Sequence, residues 1–128
     1  MSKEQNEMSN RINDCLFCKI VRGEIKADIV YQDKEVVAFK DIHPIAPVHI
    51  LIIPTKHIGS IVQIQNEDKE LMGKLIVTAK KIADDLNISK DGYKLLFRVG
   101  RYGGQEVGHI HLHLIGGAEM VEDIHPVM

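Results

Sequence analysis

Aliphatic residues recur along this chain in two rhythms, and those rhythms divide it into elements. After Asn66, the residues Leu71, Met72, Leu75, Ala79, Ile82, Ala83 and Leu86 recur at helical spacing, on one apolar stripe. Asn66 is the expected N-cap, Glu67 and Asp68 suit the positive end of the helix dipole, and Asn87 is the expected stop. Val48 to Ile53 is different: a β-branched, nearly continuous apolar run, which predicts a strand buried on both faces. Pro47 and Pro54 mark its ends. Ile29 to Gln32 and Val36 to Lys40 predict a hairpin turning at Asp33-Lys34. Leu16 to Val21 predicts a short helix stopped near Gly23, and Tyr93 to Arg98 and His109 to Ile115 predict two more strands. The expected fold class is α+β: an antiparallel sheet of about five strands with one long and one short helix.

The last of these strands carries the chemistry. In His109-Ile110-His111-Leu112-His113, three imidazoles alternate with aliphatic residues. Side chains at i, i+2 and i+4 of a strand share one face, so the histidines should look out of one side while Ile110, Leu112 and Leu114 pack behind them. A sheet face needs no histidine for stability, so three in alternation point to function. A three-histidine metal centre is the rival reading. Same-face Cβ atoms lie about 6.5 Å apart, so three span roughly 13 Å, which better suits a row of groups along an extended anionic substrate. His49 interrupts the apolar strand 48–53, where a buried imidazole needs a hydrogen-bonding partner.

Composition narrows the class. The 128 residues are near the size of one domain, and 45% hydrophobic content suffices for one core. A net charge of -2 gives no reason to expect nucleic-acid or membrane binding. The longest aliphatic run, Ile50 to Ile53, is far short of a membrane span. Residues 1–13 are polar with no apolar signal core, and they are expected to be a disordered segment. Cys15 and Cys18 are too close in sequence for a usual structural disulfide, so a reduced, cytoplasmic setting is the default expectation.

The alternation His-φ-His-φ-His-φ-φ is the signature of the histidine-triad (HIT) superfamily of nucleotide hydrolases and transferases, and the chain resembles its Hint branch. Phe17-Cys18-Lys19-Ile20, Val37-Ala38-Phe39-Lys40-Asp41-Ile42, Ala46-Pro47-Val48-His49-Ile50-Leu51-Ile52-Ile53-Pro54 and Gly103-Gly104-Gln105-Glu106-Val107 are similar to that branch in order and spacing. Leu114-Ile115-Gly116-Gly117 favours it over the Fhit branch. The resemblance implies a HIT domain over 14–117 with a tail over 118–128, and a hydrolase of purine nucleoside 5′-phosphoramidates. It implies that His111 attacks the α-phosphorus to form a nucleotidyl-histidine. Its second ring nitrogen would donate to a main-chain carbonyl of the triad strand. His113 and the Gln105 amide would contact non-bridging oxygens, and His49 would face the triad. Asp41 would accept from the ribose hydroxyls, with Phe39 and Ile42 flanking the purine and Val107 in the substrate site. No cofactor is required for this chemistry, and a homodimer that extends the sheet is expected. A nucleotide-binding regulatory or scaffold protein and a dinucleoside polyphosphate hydrolase are the alternatives.

Three positions depart from the branch. Glu106 stands where many Hint proteins have a serine near the leaving group; like-charge repulsion from a phosphate acts on a carboxylate there, and it is expected to assist departure of an amine. Arg98 replaces a common asparagine and either adds anion affinity or points to solvent. Gly108 replaces an aromatic residue. Some bacterial relatives with Cys-x-x-Cys hold structural zinc, and the matching ligands are Cys15, Cys18, His57 and His109, a closed Cys2His2 set. A reduced, metal-free pair is the alternative. His43 and His125 read as surface residues, and the tail is acidic at Glu119, Glu122 and Asp123.

Overall fold

The computed structural model describes residues 14–127, so the expectation for residues 1–13 lies outside the described residues. In chain order come α1 (Leu16–Val21), β1 (Ile29–Gln32), β2 (Val36–Lys40), β3 (Val48–Pro54), two 3-10 turns (Ile61–Gln63 and Asn66–Asp68), α2 (Lys69–Asp85), β4 (Tyr93–Phe97) and β5 (Leu112–Gly116). The five strands form one sheet in the order β1-β2-β3-β5-β4, and every neighbouring pair is antiparallel. The α+β expectation, with one long and one short helix, matches this architecture. Among the described residues no helix is long and apolar enough to cross a membrane.

Alternation along the central strands builds two faces. Ile50 and Ile52 of β3 and Leu112 and Leu114 of β5 join Val36 and Ala38 beneath Leu75, Ala79, Ile82 and Ala83 of α2. Leu51 and Ile53 of β3 point the other way, with Val37, Phe39 and the residues of α1. The strand 48–54 is therefore buried on both sides, as its unbroken hydrophobicity predicts.

Two boundaries differ from expectation. The long helix is not capped by Asn66, because a 3-10 turn precedes it. The Asp68 carboxylate accepts from the Gln65 backbone N–H at 2.9 Å and from Lys56 at 2.6 Å, which holds that turn tight. Asn87, just beyond Asp85, has φ 60°, the left-handed conformation in which asparagine ends helices. The last strand begins at Leu112, not His109. The Ile110 N–H donates to the Ile58 carbonyl at 2.7 Å, and sheet pairing starts at Leu112, opposite Ile52 and Phe97.

Candidate active site

The face opposite α2 holds a cavity of about 600 Å³. Its apolar lining comes from Leu16, Phe17 and Ile20 of α1, with Ile25, Phe39, Ile42 and Val107. Its polar lining includes Asp41, His49, Arg98, Glu106, His111 and His113. Nine sequence-predicted residues, Phe39, Asp41, Ile42, His49, Arg98, Glu106, Val107, His111 and His113, thus converge there from distant segments. The strand register explains part of this, since His113 lies opposite both Leu51 of β3 and Leu96 of β4, while His49 pairs with Ile115.

Hydrogen bonds fix the tautomers. A carbonyl can only accept, so His111 Nδ1, 2.8 Å from the His109 carbonyl, carries the proton. His111 Nε2 then keeps its lone pair. The Ile45 N–H donates to His49 Nδ1 at 3.3 Å, which leaves the proton of neutral His49 on Nε2. That Nε2–H lies 3.0 Å from His113 Nδ1 and 3.5 Å from an Asp41 carboxylate oxygen. His113 Nδ1 accepts, so His113 Nε2 bears a proton, and this buried Nε2 has no partner among the described residues. An orphaned buried donor costs about 1–3 kcal/mol, and here it sits at the wall of a cavity.

Burial keeps these rings neutral. It lowers the pKa of His111 and His49, and it pushes His113 down to about 4, with His111 and His49 adding repulsion. Neutral rings are what a nucleophile beside a hydrogen-bond donor requires. Asp41, His49 and His113 also lie within 4.8 Å of one another, the spacing of a metal triad. The Ile45 N–H argues against that use: a metal on His49 Nε2 would force the proton onto Nδ1, against another N–H.

His109 diverges from the expected row and does not line the cavity. Its Nε2–H donates to the Pro54 carbonyl at 2.9 Å, and its Nδ1 lone pair faces Cys15 Sγ at 3.4 Å and Cys18 Sγ at 3.6 Å. Cys18 Sγ lies 3.2 Å from His57 Nδ1. Burial, then the hydrogen bond with Cys15, pushes the Cys18 thiol up to about 12. A tetrahedral zinc places its ligand atoms about 3.3–3.8 Å apart, so these spacings fit the ion, and the His109–Pro54 bond supplies the orienting partner that metal-bound imidazoles usually have.

Other predicted residues fall elsewhere or turn out richer than expected. Gln105 is buried and is not among the cavity-lining residues; its carboxamide donates to the Gly59 carbonyl at 2.7 Å and the Val107 carbonyl at 2.9 Å, and accepts from the Gly100 N–H at 3.0 Å. It braces the loop that carries Glu106. Gly103 permits the same loop's fold, since a Cβ there would come within 2.4 Å of the Val99 carbonyl oxygen. Arg98 lines the cavity, and exposed His43 sits at its edge, while His125 pairs with Asp123 in the tail. The sequence reading missed Leu16, Ile20 and the Ile45 amide; the predicted short helix from Leu16 to Val21 was the available signal for the first two, and a backbone donor leaves none.

The family model described as HIT domain matches residues 22–120. The chain is 50% identical over 104 residues to the purine nucleoside phosphoramidase of Escherichia coli (strain K12), covering 81% of this chain and 87% of that protein. It is 44% identical to Protein HitA of Neisseria gonorrhoeae, over 82% and 97% of the two chains. The crystal structure of a HIT family hydrolase from Legionella pneumophila Philadelphia 1 is similar with a TM-score of 0.83 and 52% identity, covering 84% of this chain and 96% of the other. A histidine triad protein from Clostridium difficile gives 0.84 and 38%, covering 87% and 96%. With its histidines, fold and sequence in agreement, this chain belongs to the HIT family.

Proposed function

We propose that this protein hydrolyses purine nucleoside 5′-phosphoramidates, with His111 as the nucleophile. The observation that carries the reading is His111 itself: Nδ1–H is held by the His109 carbonyl, Nε2 keeps its lone pair, and the ring lines a cavity shared with the unpartnered His113 donor. The phosphoramidase relative at 50% identity supports the substrate class.

The chemistry follows from the tautomers. The nucleoside lies against the apolar lining, between Phe39, Ile42 and Val107, with its ribose hydroxyls donating to Asp41. His111 Nε2 attacks the α-phosphorus and the P–N bond breaks, while His113 Nε2–H donates to a non-bridging oxygen and the amine takes its proton from an adjacent water. The hydroxide so formed attacks phosphorus and releases the mononucleotide, restoring neutral His111. Arg98 adds positive charge facing the phosphate, and Glu106 sits where the leaving group departs. No bound cofactor enters these steps. The Gln105 amide acts indirectly, by holding the loop.

The Cys15, Cys18, His57 and His109 set is the place for a structural zinc. Such an ion contributes folding energy by joining the start of α1 to the segments at His57 and His109. The same reading includes a HIT domain over 14–117, a cytoplasmic setting and a homodimer that extends the sheet from the edge strand β4, where Leu95 is exposed.

The deciding experiment is turnover of a fluorogenic adenosine 5′-phosphoramidate. Turnover by wild type that is lost in His111→Ala, with AMP still bound, is the expected result. AMP binding without any wild-type turnover would overturn the hydrolase reading in favour of a regulatory nucleotide-binding protein.

A further inference from the structure

Helix α1 touches two sites that the proposed reaction treats separately. Cys15 and Cys18 meet His57 and His109, while Leu16, Phe17 and Ile20 form a wall of the nucleotide cavity. The helix has only 6 residues, too few to be stable without tertiary anchors. Its N-cap is a cysteine sulfur, which accepts from the Cys18 N–H at 3.4 Å and is a weak acceptor. What holds this wall is therefore its packing on Phe39 and its neighbours, together with the thiol–imidazole cluster.

Two links run from that cluster to the nucleophile. The Phe17 ring makes edge contacts with His109, His111 and Phe39, at centroid distances of 6.0, 5.2 and 5.4 Å. His109 is the second link. It is fully buried, with Nδ1 turned to both sulfurs, Nε2 bonded to Pro54, and its carbonyl accepting the His111 Nδ1–H. A residue held at both ring nitrogens and at its carbonyl cannot turn without disturbing the nucleophile.

We infer that the Cys15–Cys18–His57–His109 cluster sets the competence of the active site: a zinc ion held there fixes the α1 wall and the His109 carbonyl, so that nucleotide affinity and turnover depend on it. This rests on the zinc reading above and goes beyond a role in stability. Because coupling between two binding sites is reciprocal, AMP must tighten zinc binding by the same factor by which zinc tightens AMP binding.

The test uses wild-type protein that is zinc-loaded, stripped with a chelator under reducing conditions, and reloaded. AMP affinity is read by calorimetry, and amide hydrogen exchange is read at residues 16–21 and at Ile110. Stripping is expected to weaken AMP binding about tenfold, within the usual range of such couplings, to speed exchange at both segments, and to be reversed by one equivalent of zinc. A Cys15→Ser, Cys18→Ser double variant should be insensitive to zinc; if it does not fold, the stripped wild type still decides. One equivalent of zinc bound with no change in AMP affinity or exchange overturns the coupling and leaves the zinc reading standing. No zinc uptake overturns both. If AMP binds in neither state, the substrate reading fails and exchange alone judges: faster exchange on stripping supports the link, and unchanged exchange overturns it.

Discussion

The two faces of one sheet differ in what they are for. Toward α2, Ile50, Ile52, Leu112 and Leu114 meet Leu75, Ala79, Ile82 and Ala83, and Thr78 is the one polar residue buried among the described residues of that helix. On the other face, strands β3 and β5 offer His49, Leu51 and His113 to a cavity closed by a six-residue helix. That face buries four imidazoles and two thiols, at a cost to stability. Stability and function are therefore separated by the two-residue period of a strand, within the same few residues of β3 and β5.

The two faces should respond differently to substitution: a site variant that unfolded the protein, or a core variant that changed the chemistry, would contradict their separation. His111→Ala should lower kcat by about 10⁴-fold or more, by analogy with removing other enzymatic nucleophiles, while the melting curve stays close to wild type. Leu75→Ala should destabilise by about 3 kcal/mol through the cavity it leaves, with kcat per folded molecule unchanged; denaturant unfolding beside active-site titration reads both. His49→Ala deletes the donor to His113 and frees the wrong tautomer, so kcat should fall about 10²-fold with KM little changed in steady-state kinetics. An equal rise in KM would point to simple loss of binding.

The two faces should also differ in how their stability depends on pH. His113 takes up a proton near pH 4 when folded and near 6.5 when unfolded, because burial opposes its charge. Below pH 6.5 the unfolded chain therefore binds more protons, so stability should fall as pH drops from 6.5 toward 4 and this contribution should be flat above 6.5. His113→Gln should make that slope shallower in denaturant unfolding, leaving the share of His109, which burial also pushes down to about 4, whereas Leu75→Ala should shift the whole curve without altering its shape. The smallest expected effect belongs to Glu106→Gln: a several-fold loss on lysyl-type phosphoramidates and less on alkyl ones, since the carboxylate acts on a cationic leaving group. Equal loss on both would remove that preference.

Much was legible because short-range physics wrote it. The period of the stripe from Leu71 to Leu86 gave α2, the unbroken run from Val48 gave a strand buried on both sides, and Asp33-Lys34 gave the hairpin turn. Alternation in 109–113 marked the site, and resemblance brought Asp41, His49 and Glu106 to it. Boundaries were less legible: the start of β5 depends on where the Ile110 N–H finds an acceptor, and that acceptor is the carbonyl of Ile58, far away in sequence.

The apolar periods, the alternating histidines and the family motifs were thus enough for the kind of protein: an α+β domain of the HIT family, with a histidine as the expected nucleophile. How the histidines divide their work came from the tertiary structure. His109 turns to the cysteines and lends its carbonyl to His111, and His113 takes its tautomer from His49, which takes its own from the Ile45 amide. A ring's proton sits where its neighbours accept or donate, and those neighbours are separated by up to 94 positions in the chain.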